Sequence, residues 1–229
     1  MIDISIFRFP FSIVLAALAL CAILTPGLCC PKSKAVRWMT KPWISAFLLA
    51  LLAALCAVEG TWSLGLYHWW GFIAVVLATI FAIGLICVKA FKDGRSMAFI
   101  LVHCGVFLVL YGGFFGAADV RDGHMAVWSD EQAPPENMAV EIDGMAFQLP
   151  FAIKLKEFRT DFYDDGTSPK QYSSILEIDG KEFSTSVNHP CRYKGYWIYQ
   201  YDYDRQYGQY SILKVVRDPW LWIVFLGFA

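Results

Sequence analysis

Long apolar runs occupy the first half of this chain, and short alternating ones occupy the second. Phe11–Cys30, Trp43–Val58, Trp69–Val88 and Met97–Gly116 are nearly unbroken apolar stretches. A bilayer span needs about 20 such residues, and none of the four shows the polar stripe of a helix packed in a soluble core. Each is read as a transmembrane helix. A fifth run begins at Trp220 and reaches Ala229, roughly half a span, so it is read as the start of an incomplete fifth helix. The first run has neither a basic start nor an A-x-A-like site after it, and is read as a retained span rather than a cleaved leader.

From Asp119 to Arg217 the period shortens. Asp143-Gly144 separates MAVEI from MAFQL, and Asp179-Gly180 separates YSSILEI from KEFSTSV. Such pairs between alternating runs are hairpin signals. YWIYQYDYD follows Gly195, YSILKVV leads back to the last apolar run, and Phe162–Lys170 is predicted to be a loop. No helical periodicity is visible here, so an antiparallel β-sandwich or small barrel of roughly six to eight strands is expected. The fold class is thus a polytopic α-helical membrane protein with an external all-β domain. Residues 1–118 hold four transmembrane helices, 119–217 the β-domain and 218–229 the beginning of a fifth helix.

Composition agrees with this division: 57% of the residues are hydrophobic, and the mean hydropathy is +0.46. Charge adds an orientation. The loop 31–42 carries Lys32, Lys34, Arg37 and Lys41, and the loop 89–96 carries Lys89, Lys92 and Arg95. The loop Glu59–His68 has no Lys or Arg. Basic short loops stay cytoplasmic, which sends the β-domain to the outside; Arg8 alone argues the other way. That domain holds 16 acidic and 11 basic residues, a balance that excludes a nucleic-acid partner. Six of the seven cysteines lie in or beside spans, no C-x-x-C exists, and Cys191 is the one thiol of the external segment. Thiol oxidoreductase chemistry is therefore not expected.

Four histidines are the candidates for chemistry. His68 in LYHWW reads as an interfacial anchor, His124 as a solvated residue and His189 in Asn-His-Pro as a turn residue. His103 lies inside the fourth apolar run, about six residues and so roughly 9 Å from its basic loop. An ionisable group at bilayer depth is costly and usually functional, and imidazole is a haem-iron ligand. The alternative is a histidine hydrogen-bonded to a neighbouring helix, and spacing alone does not choose between them. Gly105, Gly112 and Gly113 on the same run would admit a close helix or a flat macrocycle. Eight aromatic residues between Tyr193 and Tyr210 read first as cross-strand packing and second as a docking surface.

Four stretches in order resemble the ResB-like (CcsB-type) cytochrome c biogenesis proteins, over about residues 43–229. They are Glu59-Gly60-Thr61 with Tyr67 and Trp70-Gly71-Phe72; His103-Cys104-Gly105 through Tyr111-Gly112-Gly113; Val187-Asn188-His189-Pro190 with Tyr193-Lys194-Gly195-Tyr196 and Tyr199-Gln200; and Asp218-Pro219 leading to Leu226-Gly227. The resemblance implies a membrane subunit that handles haem for attachment to apocytochrome c outside the cytoplasmic membrane. It implies His103 as an intramembrane haem ligand, both the metal and the cofactor-binding residue, for a transiently held b-type haem. It also implies a tryptophan-rich, CcsA-type haem-handling partner, separate or fused, that completes a complex resembling a holocytochrome c synthase. His68-Trp69-Trp70-Gly71 has a tryptophan pair but no tryptophan-rich loop with a following acidic residue, so the external haem site and the attachment step fall to that partner. The first span is additional to the usual arrangement. Lys89, Lys92 and Arg95 are available to haem propionates near the cytoplasmic side. Two other classes stand beside this one: a membrane-anchored receptor or sensor with an external β ligand-binding domain, and a transporter or quinone-linked enzyme. The first would need a cytoplasmic effector domain, and the second acidic residues buried in mid-span; the chain displays neither.

Overall fold

The computed structural model describes residues 7–129, 133–141, 144–164, 169–204, 207 and 209–229. The chain forms two compact units, a helical one of residues 1–119 and 219–229 and a β unit of residues 120–218.

The helical unit contains α1 (Phe11–Cys29), α2 (Lys34–Met39), α3 (Pro42–Trp62), α4 (Trp70–Lys92), α5 (Met97–Gly116) and α6 (Leu221–Phe228). Among the described residues, four helical segments (Phe11–Cys29, Pro42–Trp62, Trp70–Lys92 and Met97–Asp119) are long and apolar enough to cross a membrane. The short α2 lies inside the basic loop, where Ser33 caps it by accepting from the Val36 N–H. α4 is the most buried of the four. Glycines set its distance from α1: a Cβ on Gly84 would meet Ile23 at 2.9 Å, and one on Gly27 would meet Val88 at 2.9 Å. α5 and α6 approach even more closely, since a Cβ on Gly105 would lie 2.5 Å from the Gly227 carbonyl oxygen.

Two carboxylates fasten helix ends. Asp119, just past α5, accepts from the Phe9 N–H (2.6 Å), the Ser12 hydroxyl (2.6 Å) and the Trp220 indole N–H (2.7 Å). It thereby joins the starts of α1 and α6 to the end of α5. Glu59 accepts from the backbone N–H groups of Gly65 (3.0 Å) and Leu66 (2.8 Å). Its role is to brace the α3–α4 connection, in which Ser63 and Gly65 have positive φ.

The β unit is one eight-stranded antiparallel sheet in the order β5-β4-β3-β2-β1-β8-β7-β6. Its strands are β1 (Arg121–Trp128), β2 (Glu136–Glu141), β3 (Ala146–Phe162), β4 (Pro169–Ile178), β5 (Lys181–Ser186), β6 (Cys191–Tyr193), β7 (Tyr196–Tyr203) and β8 (Tyr210–Arg217). A single core takes Val127, Ala139, Ile153, Leu176, Cys191, Ile198 and Leu213 from strands across its whole width. The sheet therefore curls around its own inner face. Thr185 of β5 donates to the Ile198 carbonyl of β7 at 3.0 Å and ties the two ends together. Asp179-Gly180 forms the β4–β5 turn with both φ values positive, as does Lys194-Gly195 between β6 and β7. Asp143 and residues 165–168 of the expected loop lie outside the described residues. β3 runs to Phe162 and β4 starts at Pro169, so both ends of the expected Phe162–Lys170 loop are strand. β3 also continues through Pro150, which an N–H ladder would exclude; the β2–β3 register breaks there, between Gln148 and Ile153.

Candidate functional site

α5 carries its candidate group near its first turns. Ser96 caps the helix by accepting from the Phe99 N–H at 3.4 Å. The Phe99 carbonyl then lies 2.8 Å from Nδ1 of His103. A carbonyl only accepts, so in the neutral ring Nδ1 carries the proton and donates it. Nε2 is left with its lone pair, and no hydrogen bond to it exists among the described residues. This is the arrangement of metal-ligating histidines, whose second nitrogen is steered by a backbone or carboxylate oxygen. The Phe99 ring stacks on the imidazole with centroids 3.9 Å apart and planes 21° apart. The Arg95 guanidinium also lies over the Phe99 ring, 5.8 Å from its centroid. Residues 95, 99 and 103 thus share one stripe, as a spacing of four requires.

His103 opens onto a cleft of about 470 Å³ between α3, α4 and α5. Pro42, Ala46 and Leu49 form one wall and Ile86 and Ala90 another, while Lys89, Asp93 and Arg95 lie at one end. That size falls within the range of small-molecule sites. The imidazole is thus bonded to its own backbone and also faces an open space. Lys92, expected to join Lys89 and Arg95, does not. Its ammonium donates to the Leu28 carbonyl at 3.1 Å, closing the C-terminal end of α1.

The three glycines of α5 part company. Gly105 and Gly112 are covered by α6, at Gly227 and Ile223 respectively, while nothing lies within 4 Å of a Cβ on Gly113. Gly113 lines a second, larger cavity of about 640 Å³ walled by α1, α3, α4 and α5. Its lining is almost wholly apolar, with Ser12, Cys56, Tyr67 and Trp70 the residues that carry a side-chain heteroatom.

The other histidines are structural. His68 packs on Tyr67, with centroids 4.2 Å apart. His189 pairs with Ser186 across the Val187-Asn188 turn. His124, expected to be solvated, is instead part of β1: its ring lies 4.4 Å from that of Tyr201, and its Nε2 is shut off from solvent. The error arose because a strand begins at Arg121, immediately after α5 and its terminal turn. Within the tyrosine-rich stretch Tyr196 is buried in the β core and Tyr193 packs against it. Tyr193 and Tyr196 meet Phe151, Tyr203 meets Phe158 and Tyr172, and Tyr210 meets Trp128. Tyr201 and Tyr207 remain exposed. Gln200 is buried, with its Oε1 accepting from the hydroxyls of Ser174 (2.6 Å) and Ser211 (3.0 Å). Burial pushes the Cys191 thiol up to about 11, so it is no nucleophile. Among the described residues no group of three or more His, Cys, Asp or Glu side chains could hold a metal ion. Sequence reasoning missed Phe99, although its position four residues before His103 was the signal.

Membrane-length helices and an all-β unit inserted between α5 and α6 mark a multi-pass membrane protein whose helical unit carries an imidazole facing a cleft. Comparison with known proteins gives the family. The ResB-like family matches residues 88–209, more than half of the 229, and the chain belongs to it. It is 32% identical over 130 residues to the chloroplastic cytochrome c biogenesis protein CCS1 of Arabidopsis thaliana, a match covering 55% of this chain and 22% of that protein. It is 31% identical over 108 residues to the cytochrome c biogenesis protein CcsB of Synechococcus sp. (strain JA-3-3Ab), covering 45% of this chain and 22% of the relative. The chain thus spans a minor part of these relatives' length. Among solved structures, the cytochrome c haem lyase CcmF aligns over 96% of this chain and 44% of its own, with a TM-score of 0.41 and 13% identity.

Proposed function

We propose that this protein is a haem-handling membrane subunit of a cytochrome c maturation complex, one that helps carry haem across the membrane to apocytochrome c. Family membership supports the pathway, since the matched relatives are named for cytochrome c biogenesis. The observation that carries the site is the His103 geometry: Nδ1 committed to the Phe99 carbonyl, Nε2 unengaged, and a cleft of about 470 Å³ beside it. These residues fit the group. His103 would supply one axial bond to a transiently held b-type haem, and a histidine of a CcsA-type partner the other. Bound there, haem is the cargo; this chain's residues orient the imidazole, hold its proton on Nδ1 and wall the cleft with apolar side chains. The covalent attachment belongs to the partner. In this reading the basic loops face the cytoplasm and the β unit stands outside, where it holds reduced apocytochrome or braces the partner.

The test is an absorbance spectrum of the purified complex. A Soret band is expected in the wild type, lost in His103→Ala and recovered by adding imidazole to His103→Gly. A haem content unchanged by His103→Ala rejects the ligand role.

A further inference from the structure

The cleft beside His103 has a polar end with an unusual composition. The hydroxyls of Thr40 and Ser45, which also line it, are occupied by backbone carbonyls, Val36 at 2.9 Å and Pro42 at 3.0 Å. The remaining polar side chains are Lys89, Asp93, Arg95 and His103. Among the described residues neither cation has an ion-pair partner, Asp93 included; the Arg95 guanidinium lies over the Phe99 ring. Lys92, the third cation of this loop, is taken up by Leu28. Two unpaired cations against one carboxylate leave this end of an otherwise apolar cleft net positive. Eight residues beyond Arg95, His103 presents a single lone-pair nitrogen to the same cleft.

Distance links the cations to the imidazole. Arg95 lies 5.8 Å from the Phe99 centroid and Phe99 3.9 Å from the His103 centroid, so guanidinium and imidazole are at most 9.7 Å apart. A porphyrin separates its metal from its carboxylates on that scale. A guanidinium matches a carboxylate with two parallel N–H donors, and an ammonium is a compact point charge for a second.

We propose that Lys89 and Arg95 form a carboxylate clamp that makes the cleft selective for metalloporphyrins bearing free propionates, loaded from the end that carries these two cations. The proposal rests on the haem reading of His103 and adds to it the feature of the cargo that is recognised. Anionic lipid headgroups could satisfy the same cations, so the test separates the two.

The full chain is reconstituted in nanodiscs of zwitterionic lipid and titrated with haem and with its dimethyl ester, following the Soret band. Wild type is expected to bind the free acid about tenfold or more tightly than the ester, equivalent to about 1.4 kcal/mol. Lys89→Gln with Arg95→Gln is expected to abolish that preference while the ester still binds as in wild type. Lys89→Arg with Arg95→Lys should restore much of it. Equal affinity of wild type for acid and ester, with a Soret band that still depends on His103, overturns the clamp and leaves the haem reading standing. A double variant that weakens acid and ester alike also overturns it, and assigns the cations to the lipid or the fold. No Soret band in wild type overturns both.

Discussion

Asp179 stands at the tip of the β4–β5 turn, with φ of 49°, and its carboxylate accepts from Lys194 Nζ (2.7 Å) and the Tyr193 hydroxyl (2.9 Å) of the β6–β7 turn. Those two contacts hold its pKa below the usual carboxylate range and push Lys194 up. A depressed carboxylate stabilises the fold fully above its unfolded value, so the contribution starts to decline below about pH 4 and is gone only once pH has fallen through the lower, folded value. Asp179→Asn is accordingly expected to lower the unfolding temperature slightly near neutrality and not at all at strongly acid pH, as read by thermal melts across that range. A variant effect that persisted at acid pH would put the stabilisation elsewhere. The contact is exposed, so a large effect is not expected. Cys191 makes the opposite case. Sealed in the β core and pushed up to about 11, it should resist maleimide at about pH 8 in the folded protein and react on unfolding, as mass spectrometry would report. At the same scale, the family-like run from Val187 to Gln200 turns out to encode shape. Asn188, Lys194 and Gly195 take positive φ, and Gln200 satisfies two buried serines.

Helix pairs are spaced by glycine, and here a single methyl group is the probe. A Cβ on Gly105 would press on the Gly227 backbone of α6, where relief needs the helices to move apart. Gly105→Ala should destabilise the helical unit by about 1–3 kcal/mol, as overpacking does. Gly113→Ala, eight residues on with open space at its Cβ, should be neutral or stabilising by up to about 1 kcal/mol through helix propensity. Thermal stability in detergent distinguishes them, and equal effects would show that the α5–α6 contact does not set the spacing. α6 is short, but Asp119 secures its start through the Trp220 indole, and the same carboxylate holds the start of α1. The first helix is therefore integrated with α5, where Tyr111 also donates to the Ala16 carbonyl at 2.6 Å.

For the whole molecule, the haem-delivery reading predicts a specific phenotype. Deleting the gene should abolish c-type cytochromes while b-type cytochromes persist, seen in haem-stained gels and reduced-minus-oxidised spectra; loss of both, or of neither, would reject it. A receptor would spare both classes. Much of the architecture was legible beforehand because its signals are local. Apolar runs of membrane length and an Asp-Gly pair between alternating strands depend only on neighbours in sequence. By itself the sequence determined the membrane-length helices, the presence of an all-β unit and the family. Tertiary structure alone decided that Lys92 turns to Leu28 while Lys89 and Arg95 stay on the cleft, that α6 covers Gly105 and Gly112, and that His124 is half-buried with its Nε2 shut off from solvent. Those outcomes depend on partners tens of residues away, and a side chain's chemistry is set by what folding places beside it.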